Sequence, residues 1–259
     1  VIMLGAIAGD MIGSVYEFNN RRTKDFPLFI KDTTFTDDTI LSVAVADVLM
    51  NDGNYAQAFK DYYWRYPNPA GSYGARFHQW AASPSLKPYN SWGNGSAMRV
   101  SPVGFALNTL DSVLDEAAKT AVVTHNHPEG VKGAQATAAA IFWARTGNSK
   151  DTLRVRLTET FGYDLDRTVD EIRPDYAFNE SCQGTVPEAI IAFLDSTDFE
   201  DAIRNAVSLG GDSDTLTCIT GGIAHAFYEK VPEDIRQQVL VRLDDPLRQV
   251  TETFCDRYC

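Results

Sequence analysis

The segment LGAIAGDMIGSV, residues 4–15, decides the fold class. Its apolar residues Leu4, Ile7, Ala8, Met11, Ile12 and Val15 fall at i, i+3, i+4, i+7, i+8 and i+11, one stripe of helical period. Gly5, Gly9 and Gly13 form a second stripe. Glycine costs a helix ~1 kcal/mol per residue, so a run of three predicts a second helix packed closely against this one. Working outward, Leu41, Ala44, Val45, Val48 and Leu49 repeat the period, and Asn51-Asp52-Gly53 stops it. The same period predicts helices over 55–66, 112–123, 129–145, 188–194, 200–209, 216–228 and 233–243. No stretch shows the alternating β-branched pattern of a sheet. The expected class is all-α, with some ten helices or more.

Composition sets the outer bounds. The chain has 259 residues, of which 44% are hydrophobic and 22% charged, with a formal charge of −12. That is globular composition and excludes wholesale disorder. No apolar run reaches the ~18 residues of a membrane-spanning helix. The negative charge argues against a protein that coats duplex nucleic acid, though a local site for an anion stays open. The N-terminus lacks the blocks of a signal peptide, and Val1 and Ile2 read as a remnant before a natural start at Met3. Cys182, Cys218, Cys255 and Cys259 have neither metal-ligand nor disulfide-framework spacing. No linker divides the chain, and the most irregular stretch, 83–95, is too short for a tether. The expectation is a single domain over 1–259, soluble and cytoplasmic.

Two acidic segments carry the chemistry. Thr36-Asp37-Asp38-Thr39 leads into the helix that begins near Ile40, and Gly210-Gly211-Asp212-Ser213-Asp214-Thr215 leads into the helix near Leu216. The bland account of each is N-capping. A cap needs one such residue, however, and together the segments hold four carboxylates flanked by hydroxyls. Brought together without a counter-ion, these would repel or take up protons. Oxygen donors of this kind suit Mg²⁺, Mn²⁺ or Ca²⁺ rather than zinc. Three further segments stand out. Trp92-Gly93-Asn94-Gly95-Ser96-Ala97-Met98-Arg99 is a glycine-rich turn entering a helix, where backbone N–H groups and Arg99 could meet a phosphate. Thr124-His125-Asn126-His127-Pro128 is a turn between two helices, most simply a capping turn. Glu17 follows the first helix, where a glutamate is ordinarily a solvated surface residue.

In combination, GDMIGSVYE at 9–17, FTDDT at 35–39, GNGSAMR at 93–99, THNHP at 124–128 and GGDSDT at 210–215 resemble the ADP-ribosylglycohydrolase family. The resemblance spans nearly the whole chain, in the family's order. It implies an orthogonal multi-helix bundle with a binuclear Mg²⁺ or Mn²⁺ centre at the bottom of a cleft, and a monomer. It implies metal ligands at Thr36, Asp37 and Asp38 on one side and at Asp212, Asp214 and Thr215 on the other. It further implies that Asn94, Gly95, Ser96, Met98 and Arg99 hold the pyrophosphate and proximal ribose, and that His125 lines the ribose pocket. Glu17, Asp37 and Asp212 would be the catalytic carboxylates. Tyr89, Trp92 and Tyr176 are candidates to stack on the adenine.

On this reading the substrate is an ADP-ribosylated protein or another ADP-ribose conjugate. Arginine linkage is the first expectation; serine-, O-acetyl- and nucleic-acid-linked forms stay open. The metals would fix the distal ribose and activate water for attack at C1″, with Asp37 or Glu17 accepting its proton. Two rivals remain: a phosphohydrolase cutting the pyrophosphate and a non-catalytic ADP-ribose reader. A prenyl-type synthase fails, because Asp37-Asp38 is followed by Thr39-Ile40-Leu41 rather than by a further acid.

Overall fold

The computed structural model describes residues 2–258; Val1 and Cys259, and the expectations placed on them, lie outside the described residues. These fold into fifteen helices: α1 Leu4–Ser14, α2 Asp37–Asn51, α3 Tyr55–Arg65, α4 Ala75–Ala82, α5 Gly95–Met98, α6 Ser101–Ala106, α7 Leu110–Val122, α8 Pro128–Arg145, α9 Lys150–Phe161, α10 Val169–Ile172, α11 Cys182–Leu194, α12 Phe199–Leu209, α13 Ser213–Tyr228, α14 Glu233–Arg242 and α15 Asp245–Tyr258. Among the described residues the only β pairing is two isolated bridges, Thr36 with Ala70 and Gly93 with Ser181. The all-α expectation holds. No helix among them is long and apolar enough to cross a membrane.

The glycine stripe explains the centre of the fold. In α1 every residue from Leu4 to Gly13 is buried, and α13 is buried from Ser213 to Ala226. Helices that are covered all round belong at the core. A Cβ on Gly5, Gly9 or Gly13 would collide with the carbonyl oxygens of Gly221, Thr217 and Ser213, so the two backbones run in direct contact. The glycines thus bring the end of α1, with Glu17 just beyond it, against the start of α13. Around this pair pack α11, α12 and α8, while α2 packs on α3, α6 and α15. Cys182 and Cys218 are buried free thiols, and buried Cys255 donates to the Ile2 carbonyl at 3.0 Å.

The departures from the expected helices are local. α11 begins at Cys182 rather than 188 because Pro187 sits inside the helix instead of ahead of it. Ser181 caps that start by accepting from the Gly184 N–H, and buried Cys182, Thr185 and Val186 anchor its first turns. α9 and α15 were not expected: their buried faces are sparse, Leu153, Leu157 and Phe161 in one and Leu247, Thr251, Phe254 and Cys255 in the other. α4, α6 and α10 are one or two turns long, too short for a period to register.

Candidate active site

The two acidic helix starts meet. Glu17, Asp37, Asp38, Asp212, Asp214 and Thr215 line one cavity of about 340 Å³. Carboxylate oxygens of Asp10, Asp38 and Asp214 lie within 4.8 Å of one another, and those of Glu17, Asp212 and Asp214 form a second such group. Asp214 belongs to both. Asp37 shares the cavity wall but neither triad. Gly71, at φ +76°, comes so close that a Cβ there would lie 3.1 Å from Glu17 Oε2 and 3.9 Å from Asp214 Oδ2. A side chain at that position would enter the space between the carboxylates.

The electrostatics of this cluster are unbalanced as it stands. Among the described residues no Lys or Arg forms an ion pair with any of its acids. Burial first, and then the charge of neighbouring carboxylates, holds Asp37, Asp38 and Asp214 well above the usual carboxylate range. Glu17 is pushed up to about 8, by burial and then by Asp212, Asp10 and Glu180. Asp38 Oδ2 is buried with no hydrogen-bond partner. An orphaned buried oxygen, two triads sharing one aspartate and an all-oxygen donor set fit hard divalent cations.

Asp10 is the acid that sequence reasoning passed over. It sits in the middle of α1, fully buried. It accepts from the N–H and hydroxyl of both Thr36 and Thr39 at 2.5–3.1 Å. A carboxylate surrounded by the apolar and glycine positions of a core helix was the available signal. With four donors it is satisfied by protein alone and holds the start of α2 in place. Thr36 does not line the cavity: its hydroxyl accepts from the Asp38 N–H at 3.2 Å and donates to Asp10, so capping is a real part of its work.

The opposite wall carries the glycine turn. Asn94 donates from Nδ2 to Asp212 Oδ2 at 2.7 Å and to Thr185 Oγ1 at 3.1 Å, tying the turn directly to the start of α13. Its backbone N–H donates to the Glu180 carbonyl at 2.7 Å. Gly95 and Met98 line the cavity, but Ser96 does not; its fully buried hydroxyl donates to the Gly130 carbonyl at 2.7 Å. Arg99 also departs from a simple surface charge. It is 0% exposed, its Cζ lies 4.1 Å from the Phe59 ring centroid, and Nη2 donates to Thr120 O and Thr124 Oγ1. It still reaches the cavity wall, with Nε and Nη1 unpartnered.

The histidine turn divides its labour. His127 caps α8, its Nδ1 accepting from the Glu129 N–H at 3.1 Å. His125 is buried beneath the glycine turn, where a Cβ on Gly95 would lie 3.2 Å from its Nε2. Burial, then the charges of Arg99 and Arg76, hold it well below the usual imidazole range, so the ring is neutral. Of the three aromatic candidates only Tyr89 lines the cavity, its ring 6.0 Å from that of His125. Trp92 packs on His127, and Tyr176 donates its hydroxyl to the Gly184 carbonyl. Arg76 and Glu180, both exposed, line the cavity as well.

Fold and site together define a class: an all-α protein whose cleft gathers buried carboxylates suited to divalent cations. The chain belongs to the ADP-ribosylglycohydrolase family, whose model matches residues 2–258. It is 23% identical over 305 residues to ADP-ribosylhydrolase ARH3 of Xenopus tropicalis, covering 89% of this chain and 87% of that one. It is 27% identical over 263 residues to ADP-ribosylarginine hydrolase Tri1 of Pseudomonas putida, covering 87% and 69%. A solved ADP-ribosylglycohydrolase-related protein complex shares the fold with a TM-score of 0.73 at 24% identity, over 99% of this chain and 96% of that one.

Proposed function

We propose that the chain hydrolyses the bond joining the distal ribose of an ADP-ribosyl group to its acceptor, with arginine-linked ADP-ribose as the first substrate. The observation that carries this is the pair of carboxylate triads sharing Asp214, tied through Asn94 and Asp212 to the wall that holds the glycine turn, His125 and Tyr89. A ligand with a diol at one end and an aromatic base at the other matches such a cavity. The arginine preference is supported by the acceptor named for the Pseudomonas relative and by the exposed Glu180 carboxylate beside Glu17, which favours a cationic leaving group.

Asp38, Asp214 and Asp212 would hold two divalent cations, Mg²⁺ or Mn²⁺, with Asp37 and Thr215 in the same wall and Thr36 one step behind, holding Asp10 and the Asp38 N–H. When bound, the cations supply Lewis acidity and neutralise the cluster's charge. The protein's own residues do the rest. Asn94 fixes the Asp212 carboxylate, so the acid and the glycine turn share one register. Neutral His125, with Nδ1 paired to the Thr124 hydroxyl at 2.7 Å, offers Nε2 to a sugar hydroxyl. Glu17 is only half-buried, the carboxylate of its triad with an open face; ionised once the cluster's charge is neutralised, it would take the proton of the attacking water and return it to the departing acceptor as the C1″ bond breaks. Asp37, in the same wall, is the second candidate for that proton.

Release of free ADP-ribose from arginine-linked and serine-linked peptides tests the reading, with Mg²⁺ and with EDTA, beside an Asp212→Asn variant. Release that requires both the metal and Asp212 is expected, faster from the arginine-linked peptide. AMP as the product would mean that the pyrophosphate is cut instead. ADP-ribose binding that ignores EDTA, with no release, would make the protein a reader.

A further inference from the structure

Glu17 is the exception among the acids of the two helix starts and the cavity they form. Asp37, Asp38 and Asp214 stand on helices and Asp212 is the N-cap of one, whereas Glu17 lies past the end of α1 in segment 15–36, which holds no helix. A carboxylate oxygen of Glu17 nonetheless comes within 4.8 Å of those of Asp212 and Asp214, far along the chain. A loop residue keeps such a register only if something other than a helix fixes its backbone. Part of the answer is Tyr16, whose ring packs edge-on against Phe26 at 5.0 Å and whose hydroxyl donates to the Pro27 carbonyl at 2.6 Å. The rest comes from two exposed residues, Asn20 and Arg22.

Asn20 uses both ends of its amide. Nδ2 donates to the carbonyls of Tyr16 and Glu17 at 2.7 and 2.8 Å and to that of Gly211 at 3.0 Å, while Oδ1 accepts from the Gly211 N–H at 2.8 Å. Three carbonyls share two N–H bonds, so one of these is three-centred. Closing a turn onto Tyr16 and Glu17 is ordinary local work for an asparagine. The reciprocal pair with Gly211 is not local: it joins the backbone of Glu17 to the residue just before Asp212. Arg22 does the same one layer out. Nη1 donates to the carbonyls of Leu209 and Arg173 at 2.5 and 2.8 Å, and Nη2 to that of Tyr176 at 2.6 Å. Leu209 ends α12 and Arg173 is the C-cap of α10, so the guanidinium meets carbonyls at the ends of two helices. Among the described residues it forms no ion pair, and its charge is directed at these carbonyls. The turn before Asp212 fits around both side chains: a Cβ on Gly210 would lie 3.1 Å from Arg22 Cζ and 3.2 Å from Asn20 Oδ1.

We propose that Asn20 and Arg22 are positioning residues, a bracket that holds Glu17 in register with Asp212 and Asp214. The inference rests on the reading of Glu17 as the group that takes the water's proton, and adds what sets its place. Neither side chain lines the cavity, so their effect on the reaction passes through the backbone of Glu17 and of the Gly210–Gly211 turn. Displacing a reacting group by ~1 Å costs on the order of 10²-fold in rate, and removing a partner that orients such a group costs about 10- to 100-fold.

Two readouts test it: turnover of an arginine-linked ADP-ribosyl peptide with Mg²⁺, and amide exchange at Gly211 followed by NMR in the metal-free protein. The variants are Asn20→Ala, Arg22→Ala, Arg22→Lys, Glu17→Gln and the double variant Glu17→Gln/Asn20→Ala. Lys24→Ala, which cuts the Lys24–Asp201 ion pair in the same segment, is the control. Asn20→Ala should speed exchange at Gly211 by about tenfold or more and lower kcat about tenfold, with KM and ADP-ribose affinity changed by less than about twofold. Arg22→Ala should lower kcat likewise, and Arg22→Lys should recover part of the loss, because an ammonium still brings donors to the carbonyls. The double variant should be no slower than Glu17→Gln alone, since displacing a group whose carboxylate is gone loses nothing more. Lys24→Ala should turn over like the wild type, which a general loosening of the segment would not allow. Unchanged Gly211 exchange in Asn20→Ala overturns the bracket, and wild-type turnover despite fast exchange overturns its positioning role. Losses that multiply in the double variant overturn the route through Glu17. A wild type that releases no ADP-ribose, yet whose Gly211 protection disappears in Asn20→Ala, would sink the hydrolase reading and leave the bracket standing.

Discussion

The starts of α2 and α13 carry nearly the same letters and are held in opposite ways. At α2, Thr36 caps the helix and Asp10 of α1 binds Thr36 and Thr39 through four hydrogen bonds, so that start is closed within the protein. At α13, the N-cap Asp212 makes no capping bond, and two positive-φ glycines, Gly210 and Gly211, deliver it. Its carboxylate is held instead by Asn94, a residue of the ligand-facing turn. One start is fixed to the scaffold and the other to the binding wall. An acidic helix entrance can therefore serve as an anchor or as a site component, and the partner of each carboxylate decides which.

Asp214→Asn should break the comparison hardest, because Asp214 is the one residue common to both triads. Altering residues one step removed from a metal costs 10- to 100-fold, so losing a shared ligand should lower ADP-ribose release on the order of 10³-fold. The metal-free variant should melt no lower than the wild type, since the change removes a buried carboxylate that burial and its neighbours Asp212 and Asp38 hold well above its ordinary range. Paired melting curves with EDTA and with Mg²⁺ check both halves. A lower melting point in EDTA, or a metal-induced rise equal to that of the wild type, would remove Asp214 from the site.

Asp10→Ala probes the scaffold side. It strips the acceptor from two buried N–H groups and two hydroxyls, and such losses together should cost about 4 kcal/mol of stability. Asn94→Ala, on the other side, gives up one 2.7 Å bond to Asp212 and should cost about 1 kcal/mol, while activity falls about tenfold. Denaturant midpoints beside turnover rates separate the two. If Asp10→Ala leaves the midpoint unchanged, the start of α2 is not anchored as described.

This contrast also marks what was legible in the chain. Asp37, Asp38, Asp212 and Asp214 could be read because four carboxylates exceed what two caps require, and the family motifs gave them an order. Asp10 could not, because its role depends on Thr36 and Thr39, which the fold alone brings beneath it. The α1 glycine stripe predicted a close helix partner without naming α13, since spacing gives a face and not its mate. Arg99 was readable as a charge near the turn, but its burial against Phe59 follows from how α5 packs. Arg76 escaped because α4 has only eight residues, too few for a period, and its relation to the cavity is tertiary.

The smallest expected effect concerns pH and sharpens the α13 side. Glu17 belongs to the triad with Asp212 and Asp214, and its folded value of about 8 stands above its ordinary 4.5. Between those values the folded protein keeps a proton that the unfolded chain has released. Stability of the metal-free protein should therefore decline as pH rises through that window and level off above about 8. Asp37, Asp38 and Asp214, also raised, act in the same direction. A divalent cation competes with these protons, so the rise in melting temperature on adding Mg²⁺ should be larger at the alkaline end by a few degrees. Glu17→Gln should flatten the slope without abolishing it, because the aspartates still titrate. Melting temperatures across the window, with EDTA and with Mg²⁺, give the result directly. A metal-induced rise that is the same at both ends would mean that the protons and the cation occupy different groups, and Glu17 would then stand outside the site that Asp212 and Asp214 form.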